Sequence, residues 1–518
     1  MQNNKKILMV AAENDALPRA KVGGVGDVIR DAPKALIKQG CEVDVVLPSY
    51  GFLARLEGAV LITSYAVIFG GKIYEISLLH YQEKGSKVNN IILHHPEFAP
   101  KGEKVYCNDP DWQPFATDAT KFALFCAAVA QGLKIGAIAR PDVIHCHDWH
   151  AAFLLILLKY AAQYKDLLGI HTVYTIHNLA MQGVRPLKGD ESSFAQWFPE
   201  LAYDAEMICD ARFKDCVNPM RAGILLADKV HTVSPTYAEE IQHPSQYSQG
   251  IYGGEGLQHE LSIRAQNGDL VGILNGCEYP KGAKYTKPSR KKIGEMIDTA
   301  LLKWAAESTH LASAHWIAER RTKDWLAKKN AGFTMLSIGR VTEQKSRILQ
   351  TKVSRGRTAL EVILNRLGDE GTYIMLGNGD SKLESFFTKM SAVHDNFIFL
   401  NGYSDALSQE LYKFGDLFLM PSSFEPCGIS QMLAMRAGQP CLVNQVGGLK
   451  DTVTHTKNGF AFSGNNIFEQ AENLVGIFDE ALNLYQNNNV IYASLCKAAA
   501  KARFTWEESV KAYLERIY

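Results

Sequence analysis

The residues that could do chemistry stand at the ends of short apolar runs. Glu425 is a lone carboxylate in the polar loop Pro421-Ser-Ser-Phe-Glu-Pro-Cys-Gly428, directly after the run Leu417 to Met420. Arg340 and Lys345 lie five positions apart behind the run Thr334 to Gly339. Two cations so spaced can flank a diphosphate and stabilise the charge it develops. Lys21 precedes the glycine-rich turn Val22-Gly23-Gly24-Val-Gly-Asp27, from which it can reach a phosphate or a sugar oxygen; a solvated surface lysine is the competing reading. His145-Cys-His147-Asp148-Trp149-His150 closes one run, and His177-Asn178 closes the next. With a glycine pair at Gly447-Gly448, the set suits a sugar joined to a diphosphate.

Three histidines and an aspartate within six residues also invite a metal site. Trp149 interrupts the common metallohydrolase spacing H-x-H-x-D-H, and no set of Asp, Glu or Cys at ligand spacing accompanies the histidines. No metal is assigned. A lone histidine is more often structural, but two consecutive strands ending in His/Asp loops point to a site, because open α/β sheets bind ligands at that edge.

The elements that must position these groups alternate. The strand 7–12, a helix from about 28 to 38 and the strand 42–47 form a βαβ unit. Hairpin-like strands follow over 61–98, then a helix over 121–132 and strands at 141–145 and 171–176. A helix over 218–228, a strand over 229–233 and a helix capped by Ser234 with Pro235 come next. A short strand at 271–275 ends in Asn275-Gly276. The stretch 281–329 is basic, then helical, without a clear strand, and is read as hinge and linker. Strands restart at 334–339, 372–376 and 397–400, and Asn401-Gly-Tyr403 follows the last. Arg347, Lys352, Arg355 and Arg357 read as a solvated insertion. A helix over 429–437, a strand over 440–443 and a helix-rich tail over 468–518 complete the chain. Two such halves predict an α/β protein of two doubly wound, Rossmann-like domains facing across a cleft.

Composition narrows the class. The 518 residues are 47% hydrophobic and 21% charged, and 55 Lys plus Arg balance 55 Asp plus Glu. No global basic field exists for nucleic acid or an anionic membrane. No apolar segment approaches the roughly 20 residues of a membrane helix. The N-terminus runs straight into its first strand, leaving no room for a signal or transit peptide. Ten cysteines without a C-x-x-C pair fit reduced thiols, and the expected location is cytoplasmic.

In order along the chain, Lys21-Val-Gly-Gly-Val-Gly-Asp, His147-Asp-Trp-His, Thr175-Ile-His-Asn-Leu-Ala-Met-Gln-Gly, Thr232-Val-Ser-Pro-Thr-Tyr-Ala, Leu274-Asn-Gly, Arg340-Val-Thr-Glu-Gln-Lys and Phe424-Glu-Pro-Cys-Gly through Gly448-Leu-Lys-Asp resemble the bacterial glycogen synthases and plant starch synthases. That resemblance implies a GT-B glucosyltransferase acting with retention. Asp148 and His177 would line the glucosyl site, Arg340 and Lys345 bind the donor phosphates, and Glu425 hold the transferred glucose. Cys427, Gly428 and Ile429 would add backbone donors beside it, as would Gly447 and Gly448. Lys21, with Gly23 and Gly24, would contact the donor nucleotide, Tyr403 would lie near its base, and Asn275 would line the cleft. The implied domains are 1–275, rejoined by a helix at 499–518, and 276–498, with the hinge at about 276–330.

The resemblance further implies a nucleotide-sugar donor of the ADP-glucose type, an α-1,4-glucan acceptor and no cofactor. Several positions depart from the family pattern: Val22 in Lys-Thr-Gly-Gly, Met181 for a tyrosine, Ser423 for an arginine, Cys277-Glu278 for Ile-Asp, and Ser346 for a glycine. They spare the charged residues but leave donor base and acceptor open. UDP-glucose, a small acceptor, a catalytically silent glucan-binding homologue and a metal-dependent hydrolase are the rival readings. Oligomeric state is not legible.

Overall fold

Strands in both halves are near-continuous apolar runs, the pattern of parallel strands covered on both faces. A computed structural model describes residues 5–280, 282, 285–307, 312–330, 332–353 and 356–518. Arg355 and Lys281 lie outside the described residues. The chain packs as two units. One comprises 1–245, 253–278 and 505–518, the other 246–252 and 279–504.

The first unit holds β1 (Lys6–Val10), β2 (Glu42–Pro48), β3 (Val60–Phe69), β4 (Lys72–Tyr81), β5 (Asn89–His94), β6 (Val143–His147) and β7 (His171–Ile176). The two-residue β8 (Arg185–Pro186) and β9 (Cys216–Val217) pair with each other, and β10 (Lys229–Thr232) and β11 (Leu270–Gly272) complete the set. The nine-stranded sheet runs β11-β10-β7-β6-β1-β2-β5-β4-β3. It is parallel from β11 to β5 and antiparallel through the β3–β4 hairpin. Strand order therefore reverses between β1 and β6, and a crevice for ligands opens beyond the carboxyl ends of those two strands.

The second unit holds β12 (Thr334–Ile338), β13 (Thr372–Leu376), β14 (Phe397–Leu400), β15 (Leu417–Met420), β16 (Cys441–Asn444) and β17 (Gly459–Phe462). All are parallel, in the order β14-β13-β12-β15-β16-β17, with the reversal between β12 and β15. Side chains alternate between two cores: Met335, Tyr373, Met375 and Leu417 face one, Leu336, Ile374, Leu376 and Phe418 the other. The second core is closed by Ile293, Ile297, Leu301, Trp304 and Trp325. These come from helices Arg290–Glu307 and Ser313–Ala327, so the stretch read as a linker buries apolar faces in this unit.

Local details differ from the sequence reading. The first helix starts at Gly24 rather than near Val28. Asp148 opens helix Asp148–Tyr160 with φ +56° instead of lying in a loop, a conformation that aspartate tolerates better than most residues. Lys345 lies in the first turn of helix Glu343–Gln350, and the supposed solvated insertion begins with that helix, which buries Ser346, Ile348 and Leu349. Strong caps appear where expected: Ser234 accepts the Tyr237 N–H with Pro235 at the first helical position. Helix Trp506–Arg516 packs against helix Gly24–Lys38 in the first unit, and the Ser509 hydroxyl donates to the Leu274 carbonyl at 2.6 Å.

Candidate active site

At the β12/β15 reversal the second unit gathers three of the predicted residues. Lys345 Nζ lies 2.6 Å from Glu425 Oε2, and the Ser422 hydroxyl donates to the same oxygen at 2.9 Å. Gln344 ties the two loops, donating to the Phe424 carbonyl at 2.6 Å while its own carbonyl accepts the Ser423 N–H at 2.8 Å. Arg340 is exposed and makes no hydrogen bond or ion pair among the described residues, which leaves its guanidinium available to a ligand. A cavity of about 30 Å³ is lined by Gly339, Arg340, Lys345, Tyr373, Met420 and Ser422, among others. A half-buried lysine paired with a buried carboxylate beside an unpaired guanidinium is a ready anion site.

The glycines work chiefly on the backbone. A Cβ on Gly447 would come within 2.0 Å of the Glu425 carbonyl, and one on Gly448 within 2.2 Å of the Cys427 carbonyl. The Gly448 N–H donates to the Glu425 carbonyl at 3.1 Å. The pair thus seats the acidic loop. Gly428 has φ +74° and leads through Ile429 into the short helix Ser430–Arg436, next to the buried Cys427. Tyr403 follows β14, exposed, with its hydroxyl on Asp405. Its carbonyl accepts the Trp304 indole N–H at 2.9 Å, and that indole lies flat on Gly402, where a Cβ would come within 2.4 Å. Trp304 was not legible as a site residue, because its partner lies 99 positions away.

In the first unit Asp148 and His177 end β6 and β7, beside the β1/β6 reversal. Asp148 Oδ1 accepts the His177 backbone N–H at 2.7 Å. Burial pushes the Asp148 carboxyl up to about 7, although the His177 and Asn178 amides oppose this. Burial lowers His177 to about 3, so its ring is neutral. Trp149 supports the 178–183 loop: Gly183 has φ +67°, and a Cβ there would meet the indole at 2.2 Å. Asn275, after β11, is buried, and its Oδ1 has no partner among the described residues.

The glycine turn is already engaged. The Val22 and Gly23 amides donate to Glu13 Oε2 at 2.7 and 2.6 Å, and the Tyr106 hydroxyl donates to Oε1 at 2.8 Å. A carboxylate of the chain thus holds the Gly23 amide that the sequence reading offered to a ligand, together with that of Val22; Gly24 remains open. Lys21 Nζ pairs with Asp27 at 2.7 Å and Asp15 at 3.2 Å. Burial works against its charge, but the two carboxylates outweigh it and the lysine is raised above its ordinary value. Glu13 had a signal, since it lies three residues beyond β1. Tyr106 had none.

The histidine cluster forms a hydrogen-bonded pile. His145 and His147 rings stack at 4.2 Å. His145 joins the Tyr518 hydroxyl at 2.6 Å and Thr175 on its other side, and Thr175 meets His231 at 2.8 Å. Among the described residues no group of three or more His, Cys, Asp or Glu could hold a metal ion. A separate cavity of about 520 Å³, lined by Phe69, Tyr74, Gln113, Thr117 and Glu191 among others, contains none of the predicted residues.

Residues 6–262 match the family "Starch synthase catalytic domain", and 322–489 match "Glycosyl transferases group 1". The chain is 34% identical over 519 residues to the glycogen synthase of Streptococcus sanguinis, covering 98% of each. It is 31% identical over 525 residues to that of Desulfitobacterium hafniense, covering 98% and 97%. The catalytic domain of Arabidopsis thaliana starch synthase IV, solved with ADP and acarbose, is similar with a TM-score of 0.76 and 26% identity over 99% of both chains. A sucrose-phosphate synthase of Thermosynechococcus elongatus, 16% identical with a TM-score of 0.56, shares the fold over 99% of this chain and 98% of its own. Two α/β units, one with a mainly parallel sheet and one with a wholly parallel sheet, are those of a GT-B glycosyltransferase. Within that class, the chain belongs to the family of bacterial glycogen synthases and plant starch synthases.

Proposed function

We propose that the protein transfers an α-D-glucosyl unit from ADP-glucose to the 4-OH at the non-reducing end of an α-1,4-glucan, with retention. The observation that carries this reading is the gathering of Arg340, Lys345 and Glu425 at the β12/β15 reversal. The C1–O bond to the diphosphate breaks, the bond from the acceptor O4 to C1 forms, and the acceptor proton passes to a departing phosphate oxygen. Arg340 and Lys345 stabilise the leaving diphosphate, and no cofactor is invoked. Glu425 positions glucose hydroxyls, and its pairing with Lys345 makes it a hydrogen-bond acceptor rather than a nucleophile. Asp148 is bound to backbone amides and holds the β7 loop that carries His177. Retention then rests on same-face departure and attack.

Adenine as the donor base draws support from the Arabidopsis relative, which was solved with ADP. No helix among the described residues is long and apolar enough to cross a membrane. All ten cysteines stand outside disulfides, in keeping with the cytoplasmic location this reading assumes. The test offers radiolabelled ADP-glucose and UDP-glucose with glycogen and counts label in precipitated polymer. Incorporation from ADP-glucose is expected; none from either donor would overturn the reading.

A further inference from the structure

His147 is buried and has no role in the reaction as described. Its Nδ1 lies 2.9 Å from His177 Nε2, and its Nε2 is sealed without a partner among the described residues. One N–H is shared between two imidazoles, and each neutral imidazole carries one proton. If His177 donated from Nε2, the His147 proton would have to sit on its sealed Nε2, a buried N–H with no acceptor. If His147 donates from Nδ1, the sealed atom is only a lone pair. Orphaned buried N–H groups are the rarer and costlier defect. Burial holds both rings neutral, so the choice of tautomer is real. His147 is also fixed in place, since its ring stacks on His145, which Tyr518 and Thr175 hold from either side.

We propose that His147 is a positioning residue that donates from Nδ1 to His177 Nε2, which fixes His177 as the Nδ1–H tautomer and makes it a hydrogen-bond donor to an oxygen of the transferred sugar. His177 Nδ1 makes no hydrogen bond among the described residues, so it is free for that contact. The substrate half of this inference rests on the reading of His177 as part of the glucosyl site; the tautomer half does not. His177 then orients the sugar through its N–H and offers no lone pair as a base.

The test has two parts, both on the full chain. Long-range 1H–15N spectra of [15N]histidine-labelled protein, with His177 assigned by its disappearance in His177→Asn, report the protonated nitrogen directly. A proton on Nδ1 is expected, and a proton on Nε2 overturns the proposal whatever the protein's activity. The second part compares His147→Asn, whose amide keeps a donor at the Nδ1 position, with His147→Asp, whose carboxylate accepts and pulls the His177 proton onto Nε2. His147→Asn should keep kcat within about threefold of wild type, and His147→Asp should lose about a hundredfold, the scale of one misdirected donor. A purely structural role leaves the His177 proton on the same nitrogen in both variants, so an Nδ1–H signal for His177 in His147→Asp, or equal kcat in the two variants, overturns the positioning role. If His147→Asp does not fold, the spectra decide alone. Failure of the glycogen assay alongside an Nδ1–H spectrum would remove the functional reading and leave the tautomer standing.

Discussion

Under the proposed transfer, Arg340 and Glu425 serve the same ligand by opposite means. Arg340 is exposed and unpaired, so truncating it removes little from the fold. Arg340→Ala is expected to shift unfolding free energy by no more than about 0.5 kcal/mol while lowering kcat by about a hundredfold. Denaturant melts and steady-state assays on one preparation check both. Glu425→Ala should cost similar activity and also some stability, because it strips Lys345 and Ser422 of their shared acceptor. Asp148 adds a pH signature. Its carboxyl, raised to about 7 by burial, ionises across neutrality. If the ionised form holds the β7 loop through the His177 and Asn178 amides, kcat/KM should fall below about pH 7, and Asp148→Asn should abolish that limb. A limb unchanged in Asp148→Asn would remove this role.

Among the elements, the histidine pile on β6, β7 and β10 is the most pH-sensitive. His145, His147, His177 and His231 of the pile, and His150 in the helix that follows β6, are buried and lowered, chiefly by burial. Each is neutral in the native state but protonates below about 6.5 when unfolded, so its stabilisation is present above about 6.5 and lost on acidification. Asp148 works the other way: its raised value favours the native state in acid, and this contribution is lost as pH rises through about 7. Five groups outweigh one. Tm should fall between pH 7.5 and 5.5 in calorimetry. The 178–183 loop offers a steric counterpart. Gly183→Ala forces a Cβ into Trp149 at a left-handed position, an expected loss of about 2–4 kcal/mol by chemical denaturation. The strand ends carrying Asp148, His177, Arg340 and Glu425 were legible, because buried parallel strands leave apolar runs that stop where polar chemistry begins. What filled the spaces was not. Tyr106 on Glu13, Trp304 behind Tyr403 and His147 behind His177 depend on contacts 30 to 99 residues apart, which no local pattern encodes.

For the molecule as a whole, alternation of strands and helices with a mid-chain restart made the two-sheet architecture readable. Residues 505–518 belong to the first unit, where Tyr518 meets His145 and Ser509 meets Leu274. Ending the chain at Phe504 should therefore speed hydrogen exchange in β6, β7 and β10 and leave β12–β17 unchanged; uniform acceleration would contradict the assignment. The central claim, retaining transfer to a glucan end, is tested most directly by following ADP-glucose and maltoheptaose by 1H NMR as the reaction proceeds. The account predicts that each ADP released is matched by one new α-1,4-linked residue at the non-reducing end, formed in the α configuration from the start. Release of free glucose without chain growth, or a β-linked first product, would contradict it.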